Sequence, residues 1–338
     1  MSSKRIGRQS VKFENPPVIT ASACVGGKLE GEGPLASHFD YISDDAYFGQ
    51  KSWEDAESQM LKQTFELALK KNRITQDDLD YLYAGDLLNQ CVSSAFALKE
   101  SGAPFFGLFG ACSTSSEALS LAAMSIDGGY ARSACALTSS HFCTAERQFR
   151  TPLAYGGTMT PTAQRTVTAA GAFILEAEGT GPKITHITTG KIVDAGVTDA
   201  ANMGAAMAPA AVETLCTHFS ETGRDPGYYD FIVTGDLAQV GFDLLCSLTA
   251  DCGYDIAPRA SDCGLLIFDR EKQNVKAGGS GCGCSASVLA GYLLEKMKSG
   301  EINKLLFAPT GALMSPTTSQ QGKSVLGICH AVAIENEV

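Results

Sequence analysis

Asp80-Tyr-Leu-Tyr-Ala-Gly-Asp-Leu87 and Asp230-Phe-Ile-Val-Thr-Gly-Asp-Leu237 are two copies of one phrase. Each opens on an acid, runs through a short apolar string and stops at Gly-Asp-Leu. A glutamine follows each, Gln90 and Gln239. Short apolar runs ended by glycine read as buried strands. A second phrase also repeats. Gly110-Ala-Cys112-Ser-Thr-Ser-Ser116 faces Gly281-Cys-Gly-Cys284-Ser-Ala-Ser287. In both copies a helix follows, then glycine, then another strand, Ala134 to Ser139 and Leu305 to Thr310. This repetition predicts one α/β unit used twice, stacked about a pseudo-twofold axis. The Cys112 and Cys284 turns are expected to meet near that axis.

Around these phrases helices and strands alternate, which implies parallel pairing in an α/β sheet. Ser52-Trp53-Glu54-Asp55 is a capping box. Ala56, Met60, Phe65 and Leu69 continue an apolar helix face that fades at Lys70-Lys71-Asn72. Ser113 to Asp127 reads as a small-residue helix ending at Gly128-Gly129. Strands are expected at Leu79–Ala84, Phe105–Phe109 and Ser133–Thr138. In the second half, helices are expected from near Pro209 to Thr222 and from Ser285 to Ser299. Strands are expected at Phe231–Thr234, Cys263–Phe268, Lys304–Thr310 and Val325–Glu335. Between Tyr83 and Ala145 the charged residues are Asp86, Lys99, Glu100, Glu117, Asp127 and Arg132 alone. A sheet so poor in charge is expected to be covered on both faces.

The 338 residues carry 26 Lys plus Arg against 37 Asp plus Glu, a net charge of −11. That balance excludes a general nucleic-acid binder, which needs a basic stripe. Hydrophobic residues make up 44% and charged residues 19%, the mix of a folded chain. The longest small and apolar stretch, Ala200 to Val212, is broken by Asn202 and Pro209, so no membrane span is expected. The basic Met1–Gln9 segment is not followed by an apolar run, so no signal peptide is expected. Twelve cysteines are too sparse for a disulfide scaffold and read as reduced, mostly buried thiols. The Ala205–Ala211 run reads as tight packing. Gly279-Ser-Gly281-Cys-Gly283-Cys284 lacks the last glycine of a dinucleotide fingerprint. Gly322-Lys323-Ser324 lacks the leading glycine of a phosphate loop. No cofactor is expected.

The duplicated unit with its Gly-Ala-Cys-Ser turn resembles the thiolase-like family. More narrowly, several strings resemble the stage V sporulation protein AD family. They are Ala84-Gly-Asp-Leu-Leu-Asn-Gln90, Phe109-Gly-Ala-Cys-Ser-Thr-Ser115, Thr144-Ala-Glu-Arg-Gln-Phe-Arg150, Ala205-Ala-Met-Ala-Pro-Ala-Ala211 and Ala277-Gly-Gly-Ser-Gly-Cys282. The resemblance implies a thiolase-like α/β fold with a layered α-β-α-β-α core. Its two repeats would span residues 1–180 and 181–338. It implies a ligand-binding subunit for dipicolinic acid, with or without calcium. Such a subunit would work with the membrane proteins of a spore channel assembly, peripheral to the spore inner membrane. A homodimer is expected by the same analogy, paired through the strand that follows the nucleophile turn.

In that superfamily the turn cysteine, here Cys112, accepts an acyl group. A cysteine at a helix N-terminus is expected to have a lowered pKa. Condensation also needs a base and an oxyanion hole. The family's histidine loop reads Val233-Thr-Gly-Asp236-Leu-Ala-Gln239 here. Its later histidine or asparagine turn reads Gly281-Cys-Gly-Cys284. Both lack the expected base, so the site reads as non-catalytic. His141, after Ser139-Ser140, is the better-placed histidine, and His330, in the final strand, reads more readily as a satisfied core histidine. Arg pairs bidentately with carboxylates, so Arg147 and Arg150 are candidate anchors for a dicarboxylate, or equally an ion-paired surface or a dimer contact. N–H groups at Ser113 and Ser115 offer a second anion contact. Asp86 and Asp236, helped by Asn89 and Gln90, are oxygen donors for calcium, or else turn caps. The expected ligand set is thus Cys112, Asp86, His141, Arg147, Arg150, Ser113, Asn89 and Gln90. The rival readings are an acyl-thioester acyltransferase or condensing enzyme using Cys112, and a purely structural adaptor.

Overall fold

The computed structural model describes residues 4–150 and 159–336. Strand β1 (Val18–Gly27) precedes helix α1 (Trp53–Asn72). Ser52 caps α1 by accepting the Asp55 N–H, as its sequence predicts. Then come β2 (Tyr81–Gly85), α2 (Val92–Leu98), β3 (Phe105–Leu108), α3 (Thr114–Asp127), β4 (Ser133–Ser140) and α4 (Phe142–Arg150). Next are β5 (Ala169–Glu176), β6 (Lys183–Thr188), α5 (Met203–Thr222), β7 (Phe231–Thr234), α6 (Ala238–Asp251) and β8 (Ala260–Asp262). Helix α7 starts as Cys282–Ser287, passes through a π-helical stretch, Val288–Leu293, and ends as Leu294–Lys298. Strands β9 (Lys304–Ala308) and β10 (Ala331–Glu335) complete the set.

The ten strands form one path, β8-β7-β9-β10-β6-β1-β5-β4-β2-β3. Strand β2 is parallel to β3 and β4, β4 is antiparallel to β5, and β5 to β1. Strand β7 is parallel to β8 and β9, β9 is antiparallel to β10, and β10 to β6. The two five-strand runs thus have the same order and directions. They join where β1 meets β6 at Val18 and Lys183.

Side-chain alternation builds the layers. Leu82 of β2 and Cys135 and Leu137 of β4 face Met60, Leu61 and Phe65 of α1. Their neighbours Tyr83, Ala134 and Ala136 face the other way, into a core shared with α3 and α7. Leu305 and Phe307 of β9 and Val332 and Ile334 of β10 enter that same core from the other run. Leu306, Ala308, Ala331 and Ala333 turn outward onto Ala206, Ala210 and Leu215 of α5. Helices α3 and α7 therefore lie between the two strand runs, with α1 and α5 outside. The Ala205–Ala211 run is packing, as expected.

Several expectations change. Cys263–Phe268 is not a strand. Asp262 ends β8 and caps a short helix, Cys263–Leu266, by accepting the Gly264 N–H. Helix α5 begins at Met203, not near Pro209. Burial of Gly204, Ala206 and Ala208 outweighs the hydrogen bond that Pro209 cannot donate. The last strand is two, Leu326–Cys329 and β10, broken at His330. The strand expected to pair with a second copy, β4, lies between β2 and β5 with no free edge. The edge strands of the path are β3, in the same run, and β8, at the far end.

The central helices sit directly on backbone. A Cβ on Gly171 of β5 would fall 2.6 Å from the Ala286 carbonyl group of α7. Gly171→Ala is therefore expected to destabilise the protein by about 2 kcal/mol, as overpacked cores do, read as a lower denaturation midpoint in urea.

Candidate functional site

The Cys112 and Cys284 turns do meet. The Ser115 and Ser285 hydroxyls hydrogen-bond at 2.7 Å across the join. Ala111, with φ 53°, makes the sharp turn that presents Cys112. Its thiol accepts the Gly281 N–H and lies beside Asp236 and Cys282. Leu87, Ala145 and Phe149 close an apolar cluster over it. Cys112 is 8% exposed. Burial, then the Asp236 carboxylate, hold the thiol well above its usual pKa. This reverses the expected lowering. Desolvation outweighs the helix end, and the residues around Cys112 form a 3-10 turn, Ala111–Ser113, ahead of α3.

Asp236 occupies the loop where the family's histidine was sought. Thr310 donates its hydroxyl to Oδ1 at 2.6 Å. Oδ2 is buried without a hydrogen-bond partner among the described residues, and the weak Cys112 S–H donor lies within reach of the carboxylate. Burial raises the Asp236 pKa to about 7. Asp262 fixes this loop by accepting the Leu237 and Ala238 N–H groups, each at 2.9 Å. Cys282 donates its thiol to the Ser139 carbonyl at 2.9 Å.

Asp86 is buried and serves as a cap. It accepts the Leu88 N–H at 2.8 Å and, from Ser94, the N–H at 2.8 Å and the hydroxyl at 2.7 Å. Ser113 is buried and donates its hydroxyl to the Gly110 carbonyl. His141 is buried with both ring nitrogens engaged. Nε2–H donates to the Ala46 carbonyl at 2.9 Å, and Nδ1 accepts the Cys143 N–H at 3.1 Å. Burial lowers its pKa, so the ring is neutral. His330 is held down to about 4 by burial and accepts the Gly190 N–H.

Arg147 and Asn89 come together elsewhere. With Glu54, Leu88, Val92, Thr144 and Gln148 they line a pocket of about 350 Å³ between α1, α2 and α4. Arg147 pairs with Glu54 across it. Gln148 accepts the Asn89 N–H at 3.1 Å and donates to the Leu87 carbonyl at 3.0 Å. Gln90 is exposed beside the pocket-lining Asn89, with φ 63°. The side chain of Arg150 lies outside the described residues. The sequence reading missed Glu57. It accepts the Ser139 hydroxyl at 3.0 Å and the Thr144 hydroxyl at 2.7 Å, and burial with nearby Asp86 raises its pKa. The signal was a lone acid within the apolar stripe of α1. Among the described residues no group of three His, Cys, Asp or Glu side chains is placed to hold a metal.

The stage V sporulation protein AD family model matches residues 7–335. The chain belongs to that family. It is 43% identical over 332 residues to stage V sporulation protein AD of Bacillus subtilis (strain 168), covering 98% of each chain. Solved condensing enzymes share its fold. The 3-oxoacyl-acyl-carrier-protein synthase III of Aquifex aeolicus aligns with TM-score 0.57 at 14% identity, over 94% of this chain and 99% of that one. The synthase III of Xanthomonas oryzae aligns with TM-score 0.61 at 13% identity, over 96% of this chain and 100% of that one. The fold is thus thiolase-like, a mixed sheet with flanking helices. No helix among the described residues is long and apolar enough to cross a membrane.

Asp236 binds more protons folded than unfolded between the ordinary carboxylate pKa of about 4 and its raised value. Its contribution to stability is complete below that range and is lost as pH rises to about 7. Asp236→Asn keeps the Oδ1 acceptor and is expected to flatten this fall in denaturation midpoints between pH 4 and 7. In the wild type, iodoacetamide is expected to label Cys112 at least about tenfold more slowly than exposed Cys252 at pH 7.5, and Asp236→Asn to narrow the gap.

Proposed function

We propose that the protein is a non-catalytic binder of dipicolinic acid or its calcium complex. In this reading it acts with the membrane proteins of a spore channel at the inner membrane during dipicolinate uptake. The observation that carries it is the pocket between α1, α2 and α4, lined by Arg147. Its volume of about 350 Å³ falls in the range of small-ligand sites. A guanidinium beside amide groups suits a flat dicarboxylate. Family membership supports the sporulation context. A protonated Cys112 under an apolar cover supports binding without turnover.

The same reading treats residues 1–180 and 181–338 as two pseudo-twofold-related repeats. The equal strand order and directions of the two runs support this. It also includes a homodimer through β3, whose free edge carries exposed Phe105 and Phe106, with Phe109 just beyond it.

A second reading, acyl transfer from a thioester to Cys112, is favoured by two observations. The chain has the fold of condensing enzymes. Asp236 beside the thiol titrates near neutrality, where a proton acceptor is useful.

Calorimetric titration with dipicolinate, with and without calcium, separates these readings. Saturable binding that Arg147→Ala weakens at least about tenfold, while Cys112→Ala binds almost normally, is expected for the pocket. Glu54→Gln is expected to tighten binding, because it removes from the pocket wall a charge of the same sign as the ligand. Absence of binding in every buffer, together with acyl-thioester labelling lost in Cys112→Ala, would establish the second reading instead.

A further inference from the structure

We propose that Cys216 and Cys252 are a surface redox pair whose disulfide fastens the end of α6 to α5. The inference is independent of the ligand reading. The two helices touch first at Gly204 and Gly241, where a Cβ on either would strike the other's backbone at under 3 Å. From that contact Cys216 lies twelve residues along α5, about 18 Å at helical rise. Cys252, the C-cap of α6, lies eleven residues along, about 16.5 Å. The helices run in the same direction, so both cysteines arrive at one level. One turn further, Phe219 packs on Tyr254 with ring centroids 5.0 Å apart, which keeps the helix ends together. The Cys252 thiol is within hydrogen-bonding reach of Cys216.

Access makes the pair selective. Cys252 is exposed and Cys216 half-buried. Eight of the other cysteines, Cys112, Cys282 and Cys284 among them, are buried. Burial, then the neighbouring Cys252, push the Cys216 thiol up to about 12, so Cys252 meets an oxidant first. The oxidant is a small-molecule disulfide. The Cys252 thiolate attacks one of its sulfurs and releases one thiolate. Cys216 gives its proton to solvent or to that thiolate, attacks the Cys252 sulfur and expels the second. Two protein thiols and one disulfide become one protein disulfide and two small thiols. The bond joins the far end of α6, whose near end follows Asp236, to the helix beside it. Oxidation therefore stiffens the frame that presents Asp236.

The test is incubation of the full-length protein with oxidised glutathione at pH 8, alkylation of free thiols, and peptide mapping by mass spectrometry. The expected result is a Cys216–Cys252 crosslinked peptide and a melting temperature a few degrees above the reduced protein. Cys216→Ser and Cys252→Ser should each abolish both. Recovery of both thiols alkylated would overturn the proposal. So would a stable glutathione adduct on Cys252 in the wild type, equal to that in Cys216→Ser, because the second exchange would then not occur.

Discussion

The seat of helices α3 and α7 between the two strand runs is the contact from which the site follows. It is made of backbone. A Cβ on Gly283 would fall 2.1 Å from the Ala169 carbonyl, and one on Gly311 2.5 Å from the Gly110 carbonyl. Interiors this close transmit any added atom as displacement. Because glycine, alanine, serine, cysteine and threonine make up the two turns, they approach until Ser115 meets Ser285. That approach puts Cys112 from one repeated phrase beside Asp236 and Cys282 from the other. The neighbourhood is thus a consequence of small residues placed in the central layer, before any chemistry is considered.

Burial then decides the protonation states. A helix end favours a nearby anion by about 0.3–1 kcal/mol, less than one pKa unit. Full burial can move a titratable group by several units. At Cys112 the two effects oppose and burial prevails. The carboxylate beside it adds to the same side. Ionised Asp236 can accept a proton, yet it also repels the thiolate that would result. Acyl chemistry at this cysteine would have to overcome both, whereas binding of a small anion in the neighbouring pocket requires neither.

The repeated phrases, the Ser52 cap and the alternation of strands and helices were legible, because each rests on local chemistry. Strands β1, β5 and β6 were not. Ala169-Ala-Gly-Ala opens β5 with small residues because helices press on both of its faces, and this removes the period-two pattern that marks a half-exposed strand. Cys263–Phe268 failed for a related reason: a short apolar run has no period of its own, and the Asp262 cap tips it to helix. At the site, the meeting of the Cys112 and Cys284 turns was legible. Asp86 was not separable from a cap, since one sequence signature serves both roles and only the Ser94 and Leu88 contacts distinguish them. Glu57 was hidden because its partners, Ser139 and Thr144, come from distant segments.

Helix α4 connects the two parts of the site. Ala145 and Phe149 lie over Cys112, while Thr144, Arg147 and Gln148 line the pocket. Arg147 is held by Glu54 of α1, and Gln148 by the backbone around Leu87 and Asn89. These contacts fix the pose of the helix that shuts the thiol away. An anion that draws Arg147 from Glu54 would act on that same helix. Pocket occupancy and thiol access are therefore two readouts of one element, and a ligand that binds at Arg147 should change the rate at which Cys112 reacts even though it does not touch it.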